Sequence, residues 1–462
     1  MERIALASIT LTSFTFVASG QCAPEWDPAI GNPGVERGLM DPMMHWDDGT
    51  GERLYVGGSF NTIRGVPGSA ILGQWDRETN RWDRVGRFGL STGSGNGFLN
   101  QIMPFEVFGK ERLVVAGFFA NADRVPNTRS IAAWDGTEWV SMGGPLPSPA
   151  SIWGMTTGDI GQGENLIISG SFEEIGDSSG DDLAQWDGVQ WLPVGDGGGA
   201  FGSFSPVVSV IQMFDDGSGP ALYAGGRFDF IGGAGGTQAF GRFDGTRWEP
   251  VGGGLTRATI LSSVNAMTVY DDGSGPALYI GGFDFTISGV RSASVYKWDG
   301  FEWTAIGQEF GGRVTDLQVW DDGSGPALYV SGTAVPDILY VAKLEDDEWV
   351  PLDGGVASQP STSGDFASVF GLHVWDNDLY VAGTFTNVGT AGIDARGIIR
   401  RTGCAEPACF ADFDGDGRLS LFDFLTFQNA FDTGDPSADC DDDGSLSLFD
   451  YLCFQNAFDA GC

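Results

Sequence analysis

Along most of the chain, short runs in which apolar and polar residues alternate are separated by clusters of Gly, Asp, Ser and Pro. Such alternation puts one face of a strand in a core and the other in solvent, so the pattern predicts many short antiparallel strands. Only residues 424–431 and 451–458 read as helical. One phrase recurs: an apolar strand, a turn, a second strand of the type Leu-Tyr-Val-Gly-Gly-x-Phe, a loop, then Trp-Asp-Gly-x-x-Trp. Its second element falls at residues 54–60, 113–119, 166–172, 222–228, 278–283, 328–333 and 379–385. The third is led by Trp75, Trp134, Trp186, Phe243, Trp298 and Leu344, and is followed by Trp82, Trp139, Trp191, Trp248, Trp303 and Trp349. Three copies share Asp-Asp-Gly-Ser-Gly-Pro, at 215–220, 271–276 and 321–326. That hexapeptide suits a hairpin, because Gly tolerates positive φ and Pro ends the ladder. Each repeat therefore reads as four strands, of the type a (264–270), b (277–281), c (295–298) and d (from Trp303).

Repeats of four strands with Gly-Gly in the second and spaced tryptophans after it resemble kelch-type β-propeller blades, over residues 25–402. Physically, a four-stranded sheet cannot bury both faces alone, and packing blade on blade around an axis does so. The last repeat has strands a (369–375), b (379–385) and c (397–401), then stops at 402–404 without a strand d. Residues 25–31 look like an orphan strand d, comparable to 302–307. The expected fold is thus all-β, a seven-bladed propeller over 21–402, closed by residues 26–30 pairing beside 397–401. In that arrangement Cys22 precedes strand d and Cys404 follows the antiparallel strand c, which predicts a Cys22–Cys404 disulfide.

Composition narrows the function. The formal charge of −38 argues against nucleic-acid binding through phosphates, which requires basic surface, and equally disfavours docking on anionic lipid. Two histidines, His45 and His373, exclude a metal centre that needs three. Residues 1–20 read as a secretory signal peptide, with an apolar stretch at 4–16 and small residues at Ala18 and Gly20; a buried first strand is the alternative. Six cysteines in an exported chain read as disulfides, and no C-x-x-C pair or nearby histidine supports zinc. The protein is expected to be secreted or associated with the cell surface.

The C-terminal segment carries a calcium pattern. Asp412, Asp414, Asp416, Ser420 and Asp423 occupy positions 1, 3, 5, 9 and 12 of a loop with Gly417 at 6, and the Arg418 carbonyl falls at 7. A second loop, 439–450, repeats it with Asp439, Asp441, Asp443, Gly444, Ser445, Ser447 and Asp450. Two Ca²⁺ ions are expected. Loop plus exiting helix, twice, resembles a dockerin module, here 404–462, a small α-helical calcium-binding domain. The resemblance implies a cohesin-like or other surface partner contacted by loop positions 10 and 11. Those positions hold Leu421, Phe422, Leu448 and Phe449, which either form a docking surface or fill the core between the helices. Dockerin-like folds bring their ends together, which implies Cys409–Cys462 and leaves Cys440–Cys453 by subtraction.

No phosphate-loop lysine motif or copper-ligand set is present. Arg64, Arg124, Arg129, Arg291 and Arg396 occur in loops, but no spacing gathers three of them for a carboxylate. Glu173-Glu174 and Asp181-Asp182 are candidate carboxylate pairs, with solvated surface as the plainer reading. The sequence favours a non-catalytic propeller that binds a polysaccharide or protein; the alternative is a carbohydrate-active enzyme, hydrolase or lyase, with a dockerin-like appendage.

Overall fold

The computed structural model describes residues 24–460 except 33, 36–37, 64, 90–96, 145, 147–149, 176–180, 196–198, 203–205, 288–293, 334, 336–338, 358–366, 404–410, 412, 414–420 and 441–445. The chain divides into two compact units, one spanning Glu25–Gly403 and one containing the C-terminal helices.

Within the first unit the repeat folds as its pattern predicts. Ser263–Asp271 pairs with Pro276–Phe283, which pairs with Val295–Trp298, which pairs with Trp303–Ile306, all antiparallel. The hexapeptide turn explains the hairpin. The Asp271 carboxylate accepts the N–H groups of Gly273 and Gly275, both at 2.9 Å. These glycines sit at φ +95° and +110°, where a side chain is strained, and Pro276 opens the next strand. Asp215 and Asp321 repeat the arrangement. The second aspartate of each turn binds side chains of the strands that follow it. Asp272 binds Lys297 at 2.5 Å and the Tyr279 hydroxyl at 2.9 Å, and Asp322 does the same with Lys343 and Tyr329.

Among the described residues, hydrogen bonding gives a propeller-like ring of six large sheets, where seven separate blades were expected: five have four strands and one has eight. The eight-stranded sheet combines the strands of the sixth and seventh repeats. Thr333, at the end of one strand b, pairs with Ser368, the first residue of the next strand a. The sequence repeat counts units and carries no sign of this cross-repeat bridge. The innermost strands lie side by side in chain order, from Gly38–Asp47 through Phe98–Val107, Ser151–Asp159, Val207–Asp215, Ser263–Asp271 and Arg313–Asp321 to Ser368–Trp375. The last of them packs against the first, so the ring closes.

Closure uses the chain's N-terminal strand. Trp26–Asp27 runs antiparallel to Ile398–Arg401, with Trp26 opposite Arg401 and Asp27 opposite Arg400. The strand is shorter than the expected 26–30 because Asp27 accepts the Ala29 N–H at 2.8 Å and turns the chain. Asp27 also forms an ion pair with Arg400.

The tryptophans knit neighbouring repeats. The Trp191 indole donates to the Met142 carbonyl at 2.6 Å, Trp303 to Val251 at 3.3 Å and Trp349 to Ile306 at 3.3 Å, each reaching the preceding repeat. Trp26 reaches Asp353 in the same way at 3.4 Å, and Trp82 reaches Ile30 at 3.1 Å, which carries the pattern across the closure. The Trp-Asp-Gly aspartates are turn formers: Asp135, Asp187, Asp244 and Asp299 each accept two N–H groups from the residues that follow.

In the second unit, α1 (Leu421–Thr433) and α2 (Leu448–Ala460) begin three residues earlier than the pattern suggests. Phe427 and Phe454, equivalent residues of the two copies, stack at 4.0 Å between centroids and 2° between planes. Ala411, Ala430 and Ala438 complete the buried cluster. Cys440 and Cys453 form a disulfide that ties the second loop to α2.

Candidate functional site: the central channel

Each innermost strand shifts register near its start. The shifts lie between Met40 and Met43, Leu99 and Gln101, Ile152 and Gly154, Val208 and Val210, Val264 and Ala266, Val314 and Asp316, and Val369 and Gly371. A bulge leaves its extra residue unpaired and re-aims the side chain. The extra residues are polar at Asn100, Ser209, Asn265 and Thr315, aromatic at Trp153 and Phe370, and Asp41-Pro42 in the first strand. All of them line one cavity of about 540 Å³. Some bulge side chains also bind the next repeat: Asn100 donates to the Ile152 carbonyl at 2.8 Å, and Thr315 to Val369 at 2.7 Å.

Among the described residues, four ionisable groups line this cavity: Asp41, Arg227, Arg313 and Asp316. Asp316 accepts the N–H groups of Leu317 at 2.8 Å and Leu372 at 2.7 Å. Withdrawal from water outweighs those hydrogen bonds and pushes its carboxyl up to about 7. Asp41 is pushed up to about 7 by the same desolvation and by the charge of Asp316. Asp41 also needs Gly371 beside it, since a Cβ there would stand 2.3 Å from the Asp41 carbonyl oxygen. Arg313 donates to Ser263 at 3.0 Å and Asn265 at 3.1 Å, and lies over the Phe283 ring. Burial and then the like charge of Arg227 draw its pKa down. Trp153 keeps 37% of its surface exposed, with its ring 5.7 Å from Phe98. The channel thus offers an aromatic face, neutral hydrogen-bonding groups, two acids and two guanidinium groups.

The other candidate residues fare differently. Asp182 is buried and accepts the N–H groups of Phe172 and Ala200, both at 3.2 Å, which is a structural use. Arg124 and Arg129 border a separate small surface pocket, and Arg64 and Arg291 lie outside the described residues. Of the twelve expected calcium ligands, Asp412, Asp414, Asp416, Arg418, Ser420, Asp441, Asp443 and Ser445 lie outside them too. Among the described residues no group of three or more His, Cys, Asp or Glu side chains is arranged for a metal. Asp423 and Asp450, the two position-12 carboxylates, are fully buried. Asp450 accepts the Cys440 N–H at 2.9 Å and the Ser447 N–H at 2.7 Å, so it organises the ends of its own loop. Leu448 and Phe449 are each 70% exposed, whereas the side chains of Leu421 and Phe422 lie outside the description. Cys22, Cys404, Cys409 and Cys462 lie outside it as well.

Sequence reasoning missed Asp41, Arg227, Arg313 and Asp316. One signal was present: Pro42 sits inside a strand, and Pro in a sheet is confined to edges and bulges.

No known family matches the chain, and no curated protein does. Solved structures do. The extracellular domain of a B. thetaiotaomicron protein assigned to the one-component systems matches at 9% identity and TM-score 0.25, covering 76% of this chain and 40% of its own. The GH74 xyloglucanase from Xanthomonas campestris matches at 14% identity and TM-score 0.22, covering 80% of this chain and 68% of its own. An ancestral GH74 enzyme matches at 9% identity and TM-score 0.21, covering 82% and 60%. The chain spans two fifths of the first of these proteins. Scores this low carry no argument about function. Fold and site by themselves define a propeller-like ring of sheets around an aromatic and ionisable channel.

Proposed function

We propose that this is a secreted propeller protein that binds a carbohydrate chain in its central channel, with a dockerin-like module that binds two Ca²⁺ ions and attaches it to an extracellular partner. The carrying observation is Trp153, held half-open at the channel wall among Asn100, Gln101 and Ser209. An aromatic face beside neutral hydrogen-bonding groups suits the apolar face and hydroxyl edge of a sugar ring. The Cys440–Cys453 disulfide suits an oxidising compartment, and among the described residues no helix is long and apolar enough to cross a membrane. A glycan array with the full chain tests the reading, with Trp153→Ala expected to lose the signal and retain the fold. An empty array removes it.

The attachment role rests on Leu448 and Phe449, exposed at the start of α2. Exposed apolar pairs of this kind mark contact surfaces. Surface extract passed over the immobilised chain should yield a partner that chelator releases. Recovery unchanged by Leu448→Ala with Phe449→Ala assigns these residues no contact role.

A second reading, a carbohydrate-active enzyme, draws on Asp41 and Asp316. A carboxyl that stays protonated near neutral pH is equipped to act as a general acid. Release of reducing ends from a bound polysaccharide, lost in Asp41→Asn and Asp316→Asn, would favour this reading over simple binding.

A further inference from the structure

We infer that the channel selects an acidic saccharide, whose carboxylate is held by Arg227 and Arg313 while its ring lies toward Trp153. This deepens the carbohydrate reading and rests on it.

The argument begins with placement. Arg227 ends a strand b of the fourth repeat, and Arg313 opens the innermost strand of the sixth. The fifth repeat lies between them and contributes Ser263 and Asn265, which orient Arg313. Both arginines therefore line the same cavity from either side of one repeat. Bringing two cations together in a partly desolvated space is unfavourable, as the lowered pKa of Arg313 records. An anionic ligand relieves that cost, and guanidinium groups match a carboxylate in both charge and planar geometry.

The charge balance supports an anion. Asp41 and Asp316 are the other two ionisable groups in the lining. Below about pH 6, where both carboxyls are protonated, the described lining residues carry two positive charges. The outer acids oppose an approaching anion at long range. At physiological salt their field fades within about 8 Å, so the arginines decide the outcome inside the channel. Asp316 lies three residues further along the strand than Arg313, roughly 10 Å at strand rise. A protonated acid there can donate to a sugar hydroxyl while the carboxylate stays at the arginines. Trp153 distinguishes a saccharide from a bare anion, since inorganic phosphate has no face to stack.

Binding to the intact protein tests this. Oligomers of galacturonate, mannuronate and glucuronate are each compared with their carboxyl-reduced neutral counterparts by calorimetry. At least one acidic oligomer should bind about tenfold or more tightly than its neutral partner, as charge-assisted hydrogen bonds to arginine predict. Its affinity should fall as salt is raised, a wild-type measurement independent of any variant's folding. It should also fall between about pH 6 and about pH 8, as Asp41 and Asp316 ionise beside the ligand. Arg313→Gln should abolish the preference for the acid while neutral binding persists. Equal binding of acidic and neutral members, or binding of neutral members alone, overturns the inference and leaves the carbohydrate reading standing. Binding of none, with an empty glycan array, removes both.

Discussion

His45 Nδ1 and His373 Nε2 lie 3.0 Å apart, so the chain's two histidines share a hydrogen bond across the seam between the first and last innermost strands. Trp375 stacks on His45 at 6.1 Å and donates to Glu52 at 2.8 Å, and Glu52 lies 3.9 Å from His45 Nε2. Arg77 crosses the same seam to Asp376 at 2.5 Å and Asp378 at 2.8 Å. One imidazole must donate and the other accept, so the bond needs at least one neutral ring. Burial and the charge of His45 hold His373 down at about 3. A depressed folded pKa means that the unfolded chain takes up the proton first. The stability this group contributes is complete above 6.5 and is lost as pH falls toward 3. His373→Gln should flatten the acid limb of a denaturation-versus-pH curve over that window. An unchanged limb would show that the pair does not report on closure.

Much of the ring was legible because its signals are local. Asp215, Asp271 and Asp321 with their glycines mark the hairpins, and the paired tryptophans mark the turn between strands c and d. Cys440–Cys453 also formed as subtraction implied. What could not be read depends on residues far apart in sequence. The Thr333–Ser368 bridge joins two repeats, and the bulges displace alternation by a single residue, within the irregularity of any strand. Asp41 and Asp316 are separated by 275 positions, and nothing local distinguishes them from the many solvated acids of this chain.

Asp41 and Asp316 impose the opposite pH dependence from His373. Their folded pKa values of about 7 lie above the ordinary 3.8, so the native state holds protons that the unfolded chain releases. Their contribution is complete below 3.8 and is lost as pH rises through 7. Asp41→Asn removes one of the charges that must otherwise be held half-buried in the channel lining. It should raise the melting temperature at pH above 7 and change it little near pH 4. Equal shifts at both pH values would show an effect of packing alone.

Trp26 should contribute much of the closure energy. It is 7% exposed, lies under the Arg401 guanidinium at 5.0 Å, and donates to Asp353. Trp26→Ala leaves a cavity and exposes the edge of Ile398–Arg401, at a cost of about 3–5 kcal/mol. Deleting residues 24–31 should cost at least as much, because Trp82 then also loses its partner at Ile30. Urea denaturation followed by tryptophan fluorescence measures both. A loss below about 1 kcal/mol for the deletion would mean that the ring is held without this strand.

Calcium should order the helical unit. From residue 404 to 462 there are thirteen acids and one base, Arg418. Repulsion among them opposes compaction, whereas the core is small: Phe427 stacked on Phe454 with a few alanines and flanking aromatics. The Cys440–Cys453 crosslink spans 13 residues, contributes roughly 3 kcal/mol and acts on the second loop alone. A cation at each loop neutralises the acids and makes binding free energy part of folding free energy. Titration of the full chain should therefore show two equivalents of Ca²⁺ and a gain of helical ellipticity. Asp450→Asn separates metal binding from loop structure, because the amide oxygen can still accept an N–H of Cys440 or Ser447 but carries no charge. That variant should bind one equivalent and gain about half the ellipticity; Asp423→Asn should behave alike at the first loop. Two equivalents retained in both variants would remove Asp423 and Asp450 from the ligand set, and no response at millimolar calcium would remove the metal altogether.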